Sequence, residues 1–483
     1  MAGTQTDGIR TMPDTLSSAR PSSSRASTVE PRAASPRALP PNPPAKLLMT
    51  DVGALALATV IVTIGIWVRV GGVSQLTKGA VHAWTSLTQL TGLFASLAGL
   101  FGLALVARPR AIERRFGLDR VFIWHRYLGE AMALLIGAHI ATALAATVGS
   151  PDGGVWGAVR DYSGRLPYMA GALVGSLLIG IVTVSSLRSV RQQLAYETWY
   201  FVHLLAYVGF ALSFGHEIVQ GGLFADDFAA RAFWVLLHVA VGLVLVWGRW
   251  GRLVVSARRP LHVVSTTAVG PDTVELTLGG PALADMTGDA GQFALLRPLT
   301  PSLWWQTHPF SLSAAPTEAG LRFTVKGRGD ASVSMRALPV GTKVLVEGPY
   351  GACTTDVVAG EKLLFVAGGV GIAPVRALLE RLDASSAPIV LYRAHRGADL
   401  VHLDDIKRLV AERGGSVRTL VGPTAKLAVK DPFSAKMLTS IVPDLLDRSA
   451  VLCGPERLVF AARAGLLAAG MRRDHIHYER PWW

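Results

Sequence analysis

Six apolar runs lie between residues 52 and 247 and leave the chain few ways to fold. They are Val52–Val70, Ser86–Val106, Ile123–Val148, Leu166–Leu187, Trp199–Phe214 and Phe233–Trp247. A helix crossing a membrane needs about 17 to 25 predominantly apolar residues. The runs are near that length, with the fifth on the short side. The chain as a whole is 50% hydrophobic over 483 residues, too apolar for an ordinary soluble protein. The formal net charge of +13 does not call for a nucleic-acid partner, because much of the excess sits in loops between the runs. Arg108–Arg120, Leu187–Arg191 and Trp247–Arg259 are basic, whereas Gly149–Gly164 and Glu217–Ala229 are Gly-rich and carry Asp or Glu. Positive loops face the cytoplasm. The expectation is a multi-pass protein of the plasma (inner) membrane with both termini cytoplasmic.

Two of the runs carry paired histidines. His125 and His139 are 14 residues apart in the third, and His203 and His216 are 13 apart in and just beyond the fifth. At about 1.5 Å per residue each pair is separated by roughly 20 Å along its helix, which puts one His near each side of a core about 30 Å thick. The third and fifth spans run the same way through the membrane. His125 then faces His203 on the inner side, and His139 faces His216 on the outer side. Neutral imidazole is the usual axial ligand of haem iron, so two such helices suit two flat cofactors, one above the other. A single intramembrane His serves equally well as a helix–helix hydrogen bond; four in matched pairs favour ligation, while His238, alone in the last run, reads as a packing or pathway residue. Helical phase adds a demand. At about 100° per residue, 14 residues return within roughly 40° of the same face, but 13 miss by roughly 140°. The fifth span is therefore expected to hold a π-bulge or irregular end near Gly209–Gly215, with His216 at or past its end. Arg126 suits either a haem propionate or a positive-inside loop.

Residues 1–45 are rich in Pro, Ser, Ala and Arg and read as a disordered tail. They lack the layout of a cleavable signal, though a transit peptide shares their composition. After Pro260 the membrane runs stop and short alternating strands begin: His262–Ala268, Thr273–Leu278, Gln292–Leu296, Leu321–Lys326 and Lys343–Glu347. Their spacing predicts a small antiparallel barrel. From Glu361 the texture becomes α/β. An apolar strand, Lys362–Ala367, runs into Gly368-Gly369-Val370-Gly371-Ile372-Ala373-Pro374 and a helix from Val375. Strand, Gly-rich turn and helix start make a site for nucleotide phosphate at a helix N-terminus. The next strand, Ile389–Tyr392, ends in Arg393-Ala394-His395-Arg396. Arginines here can hold a 2′-phosphate, which favours NADPH over NADH; a solvated loop is the plain alternative. The two cysteines, Cys353 and Cys453, show neither metal-ligand spacing nor a disulfide framework.

Trp124-His125-Arg126, Tyr196-Glu197-Thr198-Trp199-Tyr200-Phe201-Val202-His203 and His216-Glu217-Ile218-Val219 resemble the ferric reductase and NADPH oxidase superfamily. The resemblance implies that His125, His139, His203 and His216 ligate two b-type haems. Downstream, His308-Pro309-Phe310-Ser311, Lys326-Gly327-Arg328-Gly329-Asp330-Ala331-Ser332 and Glu347-Gly348-Pro349-Tyr350-Gly351 resemble, in order, the FAD-binding barrel of the ferredoxin–NADP reductase superfamily. By that resemblance His308, Pro309, Phe310 and Ser311 line the flavin. Lys326, Gly329 and Ser332 lie near its phosphates, where a Gly-rich turn offers amides. Gly368, Gly369, Gly371 and Pro374 hold the dinucleotide. Cys453-Gly454-Pro455 resembles the motif beside the nicotinamide, where Cys453 contacts and positions rather than attacks. The family's terminal aromatic covers the flavin; Pro481 stands at its usual place here, so Trp482 or Trp483 is expected to stack instead.

The expected fold is a six-helix transmembrane bundle, then an antiparallel β-barrel FAD domain and an α/β nucleotide-binding domain. The boundaries are 1–45, 46–255, 256–355 and 356–483. The expected activity is a transmembrane oxidoreductase passing electrons from cytoplasmic NADPH through FAD and two haems to an outer acceptor, a ferric chelate or oxygen. Ala143 stands where eukaryotic NADPH oxidases carry a further His, which weakens a dedicated superoxide role. The sequence also has no EF-hand loop. The alternative is a membrane-anchored flavoreductase serving a partner protein or quinone. A transporter with a histidine proton relay is a third class, and it leaves the flavin motifs unexplained.

Overall fold

The computed structural model describes residues 36–41, 49–149, 154–160, 162, 166–220, 223–224, 227–358, 361–423 and 431–478. Trp482 and Trp483, and most of the expected tail, lie outside them. Among the described residues, six helices are long and apolar enough to cross a membrane. They are α1 (Met49–Arg69), α2 (Ala80–Val106), α3 (Leu118–Val148), α4 (Met169–Ser186), α5 (Tyr196–Gln220) and α6 (Phe228–Val246), the last continuing through a π-helical turn at Trp247–Gly251 to Arg258. The helix α5 is longer than its apolar run, because Glu197, His203, His216 and Glu217 lower hydropathy without breaking the backbone ladder. It is α-helical throughout, so the expected π-bulge near Gly209–Gly215 is absent and His216 sits inside the helix. Each imidazole hangs on two rotatable bonds, and that reach replaces the backbone irregularity that a straight-rod phase argument demands.

Small residues set the helix pairs. A Cβ on Gly175 would fall 2.6 Å from the Gly209 carbonyl oxygen, and one on Gly209 would fall 2.9 Å from that of Gly175. Only glycine lets α4 and α5 approach this closely, as at other membrane interfaces. On the other side α2 packs along α3. Between α2, α5 and α6, Ser96 Oγ and Trp234 Nε1 donate to Glu217 Oε2 at 2.8 and 3.0 Å, and His238 Nε2 lies 3.5 Å from the same oxygen. His238 is thus packed into a polar cluster.

Beyond Pro260 the described residues form six antiparallel strands, β1 (Leu261–Gly270), β2 (Thr273–Gly279), β3 (Phe293–Pro298), β4 (His308–Ser311), β5 (Leu321–Lys326) and β6 (Lys343–Tyr350). Their order is β4-β3-β6-β1-β2-β5, and the two edges meet at one bridge, Leu312 to Phe323. The core is apolar: Leu276, Leu278, Leu321, Phe323, Val325 and Val344 are fully buried. Residues 37–40 join this sheet domain. The Arg37 and Pro40 carbonyls accept from Glu318 and Gly288 amides, Leu39 N donates to the Pro316 carbonyl, and the Leu39 side chain is buried. This corrects the expectation of a featureless tail up to residue 45; a single leucine between prolines carries no periodic signal, yet it fills the sheet's core.

The last part is a parallel sheet in the order β11-β10-β7-β8-β9, from β7 (Lys362–Gly368), β8 (Ile389–Ala394), β9 (Ser416–Val421), β10 (Arg448–Cys453) and β11 (Ile476–Tyr478). A helix covers the end of β7; it starts at Ile372, not Val375. The membrane part and the first sheet meet through polar groups at the end of β6. Glu113 accepts from the Gly351 amide at 2.9 Å, Arg252 donates to Tyr350 Oη at 3.0 Å, and Arg108 pairs with Glu347 at 3.4 Å. Burial holds the Arg108 guanidinium below its ordinary pKa, with Arg249 adding to that and Glu347 opposing it.

Candidate functional site

The helices α3 and α5 bring the four histidines into two pairs. His125 and His203 have ring centroids 6.1 Å apart, and His139 and His216 also 6.1 Å. An imidazole nitrogen sits about 2 Å from a first-row metal ion, so two ligands on opposite sides of one ion have nitrogens about 4 Å apart. Half a ring on each side extends that to the observed spacing. The other ring nitrogens are tied back. His125 Nδ1 bonds the Gly102 carbonyl at 3.1 Å, and His139 Nδ1 bonds the Thr88 carbonyl at 2.9 Å. Such a bond puts the proton on Nδ1 and leaves Nε2 free to ligate. Among the described residues no three His, Cys, Asp or Glu converge as a bare-metal site; a haem iron takes at most two ligands from a protein, and imidazole is a common one. The residues therefore fit the group.

Sequence reasoning missed the helix that carries these partners. Thr88, Gly92 and Gly102 all lie on α2. A Cβ on Gly92 would stand 2.9 Å from His139 Nδ1. The glycine makes room for the ring, and a Gly-rich apolar helix beside a His helix is the signal that was available. His203 and His216 differ from the first pair. His203 Nδ1 lies 3.4 Å from Ser186 Oγ, whereas His216 Nδ1 is buried with no hydrogen-bond partner among the described residues. Arg126, expected at a propionate or a loop, bonds Glu130 at 2.9 Å on an exposed face.

A cavity of about 1470 Å³ lies at the His203 end of α5, where Tyr200 and Leu204 line it. It exceeds the upper range of a single-ligand pocket, about 1,000 Å³. Its walls combine the first turns of α5, the sheet's β4, and the C-terminal ends of β7 and β10. His308, Pro309, Phe310, Ser311, Lys326, Gly329, Ser332, Gly368, Gly371, Pro374, Cys453, Gly454 and Pro455 all line it. His308 Nε2 is buried there without a partner among the described residues, a polar atom that a bound ring system would satisfy. Burial pushes this imidazole's pKa down, against the pull of Glu197. Glu197, Arg297 and Tyr478 also line the cavity and were not expected. Trp305 reaches α5, its ring 5.6 Å from Phe201.

Close backbone contact joins the two nucleotide motifs. A Cβ on Gly371 would fall 2.6 Å from the Cys453 carbonyl oxygen, and one on Gly454, at φ +144°, would fall 3.0 Å from the Gly368 amide. The C-terminal ends of parallel strands form the crevice where such folds take ligands. The Gly-Asp-x-Ser segment is less open than a free amide cradle. Ser332 Oγ accepts from the Arg328 and Gly329 amides at 2.8 and 3.0 Å, at the start of a helix over Asp330–Arg336. Lys326 is paired with Asp399 at 2.7 Å, and Arg396 grips the same carboxylate through two bonds. The Arg396 hydrogen bonds, followed by that of Lys326, hold this carboxyl well below the usual carboxylate range. Gly369, Arg393 and Arg396 are not among the residues lining the cavity. Arg393 is buried, donating to the Ala394, Leu420 and Gly422 carbonyls, while the Arg396 side chain is 65% exposed.

Two family models match the chain: a ferric reductase-like transmembrane component over residues 83–214 and an FAD-binding domain over residues 259–354. The reductase subunit Stc4 of stachydrine N-demethylase from Rhizobium meliloti (strain 1021) is 29% identical over 46% of this chain and 67% of its own length. A probable ferric reductase transmembrane component of Candida albicans is 25% identical over 60% of this chain and 42% of its own. Ferric reduction oxidase 7, chloroplastic, of Arabidopsis thaliana is 30% identical over 46% of this chain and 29% of its own. The chain thus spans less than half of either ferric reductase relative. The chain joins a ferric reductase-like transmembrane component to an FAD-binding domain, the domain order of a membrane oxidoreductase that draws on NAD(P)H.

Proposed function

We propose that this protein carries electrons from cytoplasmic NADPH across the plasma membrane to an outer acceptor, a ferric chelate or oxygen. The observation that carries the reading is the alignment of two histidine pairs with one cavity, at the His203 end of α5, that the flavin and nucleotide motifs share. When bound, FAD supplies a hydride acceptor that can release single electrons, and two b-type haems supply one-electron carriers within the membrane. His125 and His203 would hold the inner haem, and His139 and His216 the outer one. The carbonyls of Gly102 and Thr88 fix the ligating tautomer of the first member of each pair. His308 to Ser311 orient the flavin ring, and Lys326, Gly329 and Ser332 lie toward its phosphates. Gly368, Gly369, Gly371 and Pro374 seat the dinucleotide, and Cys453, Gly454 and Pro455 position the nicotinamide. Arg396, exposed and joined through Asp399 to the cavity-lining Lys326, is the residue assigned to the 2′-phosphate; Arg393 supports the same loop from within. Trp482 or Trp483 covers the flavin face. Both termini are placed in the cytoplasm by the basic loops, and the division 46–255, 256–355 and 356–483 follows the change from membrane helices to antiparallel and then parallel sheet.

The deciding experiment is a reduced-minus-oxidised spectrum of the purified protein with FAD added and NADPH as reductant. About two b-type haems per chain, reduced by NADPH, are expected. Full flavin reduction with no haem signal would overturn the membrane half and leave a membrane-anchored flavoreductase.

A further inference from the structure

The two histidines of α5 have unequal surroundings. His216 Nδ1 has no partner among the described residues. His203 sits in a built seat at the cytoplasmic ends of α4 and α5. The register set by Gly175 against Gly209 brings the last residue of α4, Ser186, beside the first turns of α5. Ser186 Oγ lies 3.4 Å from His203 Nδ1 and accepts from Trp199 Nε1 at 3.2 Å. The Trp199 ring stacks on the His203 ring at 4.9 Å and 29°. The Arg191 guanidinium covers that indole at 4.7 Å. An indole only donates, so Trp199 occupies one lone pair of the hydroxyl and leaves the other for a protonated Nδ1.

We propose that Ser186 and Trp199 are positioning residues for the inner haem ligand His203, and that their contact gives this ligand a more electron-donating character than His216 has. The inference rests on the two-haem reading above. A hydrogen bond from the distal ring nitrogen raises ligand basicity, and such partners tune both affinity and potential. A more basic ligand favours the oxidised iron, so the inner site is the lower-potential one of the two. Ser186 supplies the acceptor; Trp199 sets the ring's tilt and orients the hydroxyl. Neither residue touches the flavin motifs.

The test is a spectroelectrochemical titration of the purified holoprotein and of Ser186→Ala, Ser186→Thr and Trp199→Leu, with haem content measured in parallel. Ser186→Ala is expected to move one of the two haem waves upward by roughly threefold in equilibrium constant, about 28 mV for one electron at about 59 mV per tenfold. The other wave should stay, and Ser186→Thr should restore the parent value. Trp199→Leu should lower retention of one haem by roughly tenfold, the low end for loss of a supporting residue at a metal ligand. A parent with two haems whose waves stay fixed in Ser186→Ala, or shift together, overturns the inference, as does failure of Ser186→Thr to rescue. A parent with no haem overturns the two-haem reading instead.

Discussion

Replacing Gly92 by alanine should empty the outer haem site and leave the inner one filled. The added Cβ would stand 2.9 Å from His139 Nδ1 and 3.1 Å from Cε1. Non-bonded carbon contacts are best at about 3.5–4.0 Å, so the ring must retreat by roughly 0.6 Å or more. Its Nδ1 bond to the Thr88 carbonyl, now 2.9 Å, would stretch by the same amount to roughly 3.5 Å and lose most of its strength. Losing such a bond costs about 1 kcal/mol. Loss of a partner that orients a metal ligand weakens binding about 10- to 100-fold, equal to about 1.4–2.8 kcal/mol. The matched control is Gly102→Ala. Its Cβ would lie 3.5 Å from His125 Nδ1, an ordinary contact, so the inner site should change by less than about twofold. The assay is haem retained per chain against a haem-scavenging apoprotein, followed by Soret absorbance. Gly92→Ala should lose one haem at least tenfold faster than the parent, while Gly102→Ala keeps both. Equal retention in the two variants, or earlier loss from Gly102→Ala, would refute the argument that α2 seats the rings.

Two other predictions concern the reductase half. Arg396→Ala should lower kcat/KM for NADPH by about tenfold or more, the scale of a hydrogen bond to a charged group, and leave NADH unchanged; equal losses with both would remove Arg396 from 2′-phosphate recognition. The His402 imidazole is buried between the sheets, its Nε2 2.9 Å from Thr324 Oγ1. Burial first, then the Arg376 guanidinium, hold its pKa down, with Arg322 adding to them and Glu275 and Asp405 opposing. An imidazole depressed in the folded state leaves the unfolded chain to bind the proton first. Stability should therefore be full above about pH 6.5 and fall as pH drops below it, by at most about 1.4 kcal/mol per unit. Thermal unfolding of the flavin-loaded protein between pH 7.5 and 5.5 reads this slope, and a His402→Gln variant with the same slope would assign it elsewhere.

The sequence by itself determined the six membrane helices, the change to β and α/β structure, and the order of the flavin and nucleotide motifs. Those features are local: hydropathy, strand alternation and Gly-rich turns act over a few residues. Tertiary structure decided what depends on elements far apart in the chain. The 13-residue spacing from His203 to His216 predicted a π-bulge or irregular end near Gly209–Gly215, yet α5 is continuous and side-chain reach closes both pairs. Leu39 looked like part of a disordered tail, and only the sheet's unfilled core explains its burial. Lys326 and Arg396 were expected at phosphates, and folding brings Asp399 between them. Arg393 looked like a phosphate ligand, and in the fold its guanidinium serves carbonyls at the strand ends. Residue type sets what chemistry a side chain can perform; which partner is present is set by packing between distant segments, and no local pattern records that.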